Sequence, residues 1–114
     1  MATSPQTAEF LSAQLKGAGV SLRKMFGEYA VYCDGKVIGL LCDDCLFVKP
    51  VDPARAYLAA RLDEVTEGFP YARAKAHLRL DPDLWDDADW LAGLVRVLAD
   101  ALPAPKPKAL RKKR

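Results

Sequence analysis

An α+β domain with a central antiparallel sheet is predicted for this chain of 114 residues by three observations. Two strand-like runs flank an Asp34-Gly35 pair, which is a strong signal for a two-residue hairpin because a type I′ turn needs positive φ at both positions. Ser4-Pro5 and Asp52-Pro53 each have the form of a helix start, with a capping oxygen followed by a residue that loses no hydrogen bond there. Leu91, Leu94, Val95, Leu98 and Leu102 recur at the spacing of one helix face. The length suits a single core, and 51% hydrophobic with 28% charged residues is an ordinary globular composition.

Taken in order, the first helix begins at Ser4-Pro5, carries Ala8, Leu11, Leu15 and Ala18 on a narrow apolar stripe, and ends at Gly17 and Gly19. Glu28 to Cys33 is rich in aromatic and β-branched residues and reads as a strand. Val37 to Cys42 returns from Asp34-Gly35, Asp43-Asp44 reverses the chain again, and Cys45 to Lys49 completes a three-stranded meander that Pro50 stops. A helix from Pro53 to about Leu62 is predicted to be capped by Asp52 and to bury Tyr57, Leu58 and Leu62. Gly68 and Pro70 mark a loop. Ala74 to Leu80 alternates as a half-exposed fourth strand, with Lys75, His77 and Arg79 on its solvent side. After a turn at Asp81-Pro82, a final helix from about Ala88 to Leu102 is capped by Asp86 or Asp87.

A two-residue turn at Asp34-Gly35 pairs Tyr29 with Leu40 and Val31 with Ile38, and Phe47 joins that face. Ala30, Tyr32, Val37, Gly39, Leu41, Leu46 and Val48 then form a second face nearly as apolar as the first. Two apolar faces need two covers, so helices are expected on one and a partner, with a homodimer as the leading choice, on the other. The alternative cover is one of the chain's own helices.

Charge is unevenly distributed. Lys106, Lys108, Arg111, Lys112, Lys113 and Arg114 put six cations in the last dozen residues, leaving residues 1–102 with eleven basic against fifteen acidic side chains, a net of −4. The domain is therefore placed at 1–102 and a disordered basic, proline-rich arm at 103–114. Those six residues are the candidate nucleic-acid contacts, suited to weak, sequence-blind, salt-sensitive binding to phosphates. No run approaches the ~18 apolar residues of a spanning helix, and three cysteines without an export signal suit a reducing compartment. A cytoplasmic protein that does not contact membranes is expected.

No catalytic, cofactor or metal residue is assigned. Cys42 and Cys45 have a zinc-knuckle gap, yet Cys33 falls beside the opposite turn, ~20 Å away at strand rise, so the three thiols and His77 cannot share an ion. Asp81, Asp83, Asp86, Asp87 and Asp89 lack the glycine and closing glutamate of a calcium loop. The few serines and threonines stand in no nucleophile-elbow or phosphate-loop context. An enzymatic pocket around Tyr29 or Tyr32 would require convergent polar groups.

From Arg23-Lys24-Met25-Phe26-Gly27-Glu28-Tyr29 through Tyr32-Cys33-Asp34-Gly35-Lys36 to Leu46-Phe47-Val48-Lys49-Pro50, the chain resembles the N-terminal domain of the TfoX (Sxy) competence regulators. Pro70-Tyr71, Ala74-Lys75, Trp85-Asp86-Asp87, Trp90-Leu91 and the Pro103 to Lys108 segment look like a stand-alone branch of that family. The resemblance implies a fold similar to YjbR-like and secretion-chaperone-like domains. It also implies a non-enzymatic role in transcription regulation of DNA transformation, where family members act with the cyclic-AMP receptor protein at competence promoters. Full-length regulators carry a second, helical domain where this chain has its basic arm. No site is carried over, and Met25-Phe26-Gly27 reads as sheet packing and a backbone bend.

Overall fold

In the computed structural model, which describes residues 3–103, three helices lie on one face of a six-stranded antiparallel sheet. The strands are β1 (Val20–Met25), β2 (Glu28–Cys33), β3 (Lys36–Cys42), β4 (Cys45–Val48), β5 (Glu67–Gly68) and β6 (His77–Leu80), in the order β1-β2-β3-β4-β6-β5. The helices are α1 (Pro5–Gln14), α2 (Asp52–Ala59) and α3 (Ala88–Ala101), with a short 3₁₀ helix at Pro82–Trp85 before α3. An α+β fold with the predicted meander at its centre is therefore what the chain adopts.

Local chemistry explains the element boundaries. Ser4 Oγ accepts the Thr7 amide at 3.2 Å and Asp87 Oδ1 accepts that of Trp90 at 3.1 Å, so α1 and α3 are capped as their sequences require. Lys36 Nζ donates to the Ala99 carbonyl, placing a cation at the negative end of α3. At α2 the expectation changes. Asp52 is already helical, Val51 precedes it with extended backbone, and its carbonyl accepts the Arg55 amide at 3.0 Å, so Asp52 makes no side-chain cap. Leu58 is buried, whereas Tyr57 and Leu62 are half-buried. Tyr57 spans the α2–α3 seam, its hydroxyl donating to the Trp90 carbonyl at 2.7 Å and its ring stacked on that of Trp90.

Two strands escape the sequence pattern. β1 follows Gly19 as Val-Ser-Leu-Arg-Lys-Met, with only Val20 and Leu22 packed against the core. As an edge strand it needs one buried face, and its charged residues discourage further pairing. β5 has two residues and exists only because β6 lies beside it. The strand predicted for Ala74 to Leu80 shortens to His77–Leu80, because pairing with β4 reaches only from Leu78 to Leu80 and the Ala74 amide closes a turn on the Tyr71 carbonyl.

The sheet register differs from the simple hairpin count. Beside the Asp34-Gly35 turn, Cys33 pairs with Lys36 and Tyr32 with Val37 as expected, but Val31 then pairs with Gly39 and Tyr29 with Leu41. Ile38 is the extra residue of a β-bulge, and its carbonyl accepts the Lys49 amide at 3.0 Å. A one-residue slip exchanges the faces beyond it. Val31, Leu41, Leu46, Val48, Leu78 and Leu80 thus share the helix-covered core, while Ala30, Leu40 and Phe47 look the other way.

Candidate functional site

The sheet turns at Phe26-Gly27, Asp34-Gly35 and Asp43-Asp44, and all six residues have positive φ. Aspartate and glycine tolerate that conformation, the first through its short polar side chain and the second for want of a Cβ. Phe26, at φ 52°, has neither advantage, and left-handed backbone costs an ordinary L-residue about 1–2 kcal/mol. Its ring is 98% exposed and returns no packing energy to the fold. The expectation that Met25-Phe26-Gly27 serves sheet packing is therefore corrected: the bend is real, but the phenyl group packs on nothing.

Met25, Phe69 and Tyr71 are also exposed, so four of the five exposed large hydrophobic side chains among the described residues belong to the β1–β2 turn and the segment after β5. Between them lies a cleft of about 460 Å³, lined chiefly by Met25, Phe26, Glu28, Leu40, Pro70 and Tyr71. It adjoins a second cleft of about 430 Å³, which shares Met25, Leu40 and Tyr71 and whose farther wall carries Lys49, Arg73, Lys75 and His77. Together they form a groove across the sheet face opposite the helices. The Glu28 end is tied into the fold, since Glu28 Oε1 accepts the Thr3 hydroxyl at 2.8 Å and the Asp43 amide at 3.1 Å.

This groove rearranges the surface expected from the sequence. Ala30, Tyr32 and Val37 do lie on the face away from the helices, with Arg23 held 5.4 Å over the Tyr32 ring. Leu41, Leu46 and Val48 do not; the Ile38 bulge turns them into the core. Gly39 moves with them, and the backbone that approaches it closely is the chain's own β4, since a Cβ there would meet the Phe47 carbonyl oxygen at 2.4 Å. His77 is only 8% exposed rather than facing water. The segment after Gly68 reaches over its side of the sheet, and His77 Nδ1 lies 2.7 Å from the Lys75 carbonyl, to which it donates. Lys106, Lys108, Arg111, Lys112, Lys113 and Arg114 lie outside the described residues.

The thiols are held apart. Cys42 and Cys45 pair across the Asp43-Asp44 turn, whereas Cys33 pairs with Lys36 at the other end of the meander, and all three are free. Cys45 Sγ donates to Asp81 Oδ1 at 3.4 Å. Asp81 also accepts Arg79 at 2.8 Å, and that hydrogen bond draws its carboxyl below the usual range. Burial, assisted by Glu28 and Asp43, pushes the Cys42 thiol up to about 11. Because the folded chain holds this proton more tightly, the associated stability is complete below pH 9.0 and disappears as pH rises through about 11. Iodoacetamide at pH 8 is thus expected to label Cys45 well before Cys42, and equal rates in the folded chain would contradict the burial. Tyr29 packs toward the helix-side core and Tyr32 faces away from it, so their hydroxyls do not converge on a reaction site.

A family model described as the TfoX N-terminal domain matches residues 11–101. The chain belongs to the TfoX N-terminal domain family. The match contains all six strands, the groove and all of α3. Over 117 aligned residues this TfoX N-terminal domain is also 41% identical to the "uncharacterized 12.7 kDa protein in trpE 5′ region" of Spirochaeta aurantia, covering 99% of this chain and 95% of that protein. The family is one of regulatory domains. Among the described residues no helix is long and apolar enough to cross a membrane. Sequence reasoning passed over the groove even though Phe26 and Tyr71 lie in the segments that carry the family resemblance. The available signal was a two-residue turn with phenylalanine where asparagine, aspartate or glycine is usual.

Proposed function

We propose that this TfoX N-terminal domain is a non-enzymatic, cytoplasmic adaptor in the transcriptional control of DNA transformation, acting by protein contact through the groove beside Phe26. The observation that carries the reading is an exposed aromatic ring held on strained backbone at the mouth of an apolar cleft. Such strain concentrates at functional sites because nothing in the fold rewards it. The partner is a transcription regulator, and a second copy of the chain is the competing occupant. Three free thiols accord with a reducing compartment.

Phe26→Gly separates function from folding. Glycine relieves the left-handed strain but adds chain entropy to the unfolded state, so stability is expected to stay level or rise by up to about 1 kcal/mol in urea unfolding. In cells, the same substitution, alone and with Tyr71→Ser, is expected to reproduce the transcript changes caused by deleting the whole gene. A wild-type transcript profile in the double variant would sink the adaptor reading. Sedimentation of the wild-type chain as a monomer at high concentration removes the second copy.

The uneven charge of the chain supports a second reading, weak nucleic-acid binding through the basic arm. It requires that removing residues 103–114 abolish DNA binding and that the intact chain's affinity fall steeply with salt.

A further inference from the structure

The groove beside Phe26 is apolar at one end and cationic at the other. Met25, Phe26, Leu40 and Tyr71 line the first part, while Lys49, Arg73 and Lys75 stand on the wall of the second. Among the described residues none of these three cations has an acidic side chain within salt-bridge distance. Among the described residues Lys16, Arg23, Lys24, Lys36 and Arg96 also lack one, so what sets these three apart is that they gather on one wall of an apolar groove, in a body where acidic residues outnumber basic ones by four over residues 1–102. Arg55, Arg61 and Arg79 each have a carboxylate partner. The backbone that carries two of them is held: that of Lys75 by the hydrogen bond from His77 to its carbonyl, and that of Arg73 by the turn in which the Ala74 amide donates to the Tyr71 carbonyl.

We infer that the groove binds an acidic peptide segment bearing a hydrophobic anchor, the anchor seated between Phe26 and Tyr71 and the carboxylates against Lys49, Arg73 and Lys75. This rests on the adaptor reading and adds the chemistry of the partner. Complementary charge steers such an encounter and selects among partners, while the buried apolar anchor supplies the affinity. A nucleic-acid strand fits less well. It carries a phosphate at every residue and favours a continuous basic track, whereas Glu28 puts a carboxylate at the apolar end.

The inference is tested by panning a phage-displayed library of random peptides against the full chain, then measuring the selected peptides by fluorescence anisotropy. Selected peptides are expected to combine Asp or Glu with Leu, Phe or Trp. Their affinity should fall at least about tenfold in Lys49→Glu/Arg73→Glu/Lys75→Glu and with rising salt. Phe26→Gly, which leaves the cations in place, should weaken binding without removing its salt dependence. Peptides that require Phe26 but show no excess of acidic residues would overturn the acidic chemistry and leave the adaptor reading standing. A library that yields no Phe26-dependent peptide would overturn both. Tighter binding of a single-stranded oligonucleotide than of any selected peptide, lost in the same charge reversal, would overturn the inference in favour of nucleic acid.

Discussion

Trp85→Ala is expected to destabilise the domain by about 3–5 kcal/mol, the largest single effect in the molecule. The indole is fully buried, and its Nε1–H donates to the Leu80 carbonyl at 3.3 Å. Phe10 of α1 stacks on it with ring centroids 6.3 Å apart. Gln14 Nε2 donates to the carbonyls of Trp85 and Asp86 at 2.6 and 3.2 Å, holding the end of the 3₁₀ helix to α1. Truncation would open a cavity where α1, β6 and the approach to α3 meet, and would leave the Leu80 carbonyl without its donor. Domains are stable by roughly 5–15 kcal/mol in total, so the variant should be partly unfolded at physiological temperature. Trp85→Phe retains most of the contact surface and gives up the hydrogen bond, for which about 1–2 kcal/mol is expected. Urea unfolding of both variants checks the pair, and a loss under 1 kcal/mol for alanine would mean that Trp85 is not the hub of this packing.

Gly39→Ala is expected to cost about 2–3 kcal/mol, unusually large for adding one methyl group. The new Cβ would stand 2.4 Å from the Phe47 carbonyl oxygen and 3.1 Å from Val48 Cα. Both obstacles are backbone, so no side chain can rotate away, and relief requires β3 and β4 to separate. Because Gly39 follows the bulged Ile38, the effect also reports the register. A loss below about 0.5 kcal/mol, the range of ordinary surface changes, would place Gly39 elsewhere and restore the unbulged pairing. Gly68→Ala is the control: its Cβ would meet the Phe47 ring at 3.0 Å, and a ring can give way where a carbonyl cannot.

Capping and hairpin turns were legible in the sequence because they depend on neighbouring residues. Ser4 and Asp87 cap helices through amides two or three positions away, and Asp34-Gly35 turns the chain through its own φ preferences. The apolar stripe of α3 is equally local in origin, since Leu91, Leu94, Val95 and Leu98 share a face by helical period alone. The family resemblance came from the same segments, and the matched region 11–101 bears it out.

Strand register is different in kind. Ile38 has no local feature that marks a bulge; its place is set by how β2, β3 and β4 fit together, which also decides that Leu41, Leu46 and Val48 are core and Leu40 and Phe47 are not. His77 is likewise buried on the face that alternation assigns to water, beside a cleft it shares with Tyr71, Arg73 and Ala74.

By itself, then, the amino-acid sequence determined the α+β class, the central meander, the caps of α1 and α3 and the family, all of which rest on short-range preferences of φ, hydrogen bonding and periodicity. Tertiary structure alone decided the edge strands, the face on which each apolar residue lies, and the groove beside Phe26. Those depend on the close approach of segments far apart in the chain, where a shift of one residue reverses a side chain's direction.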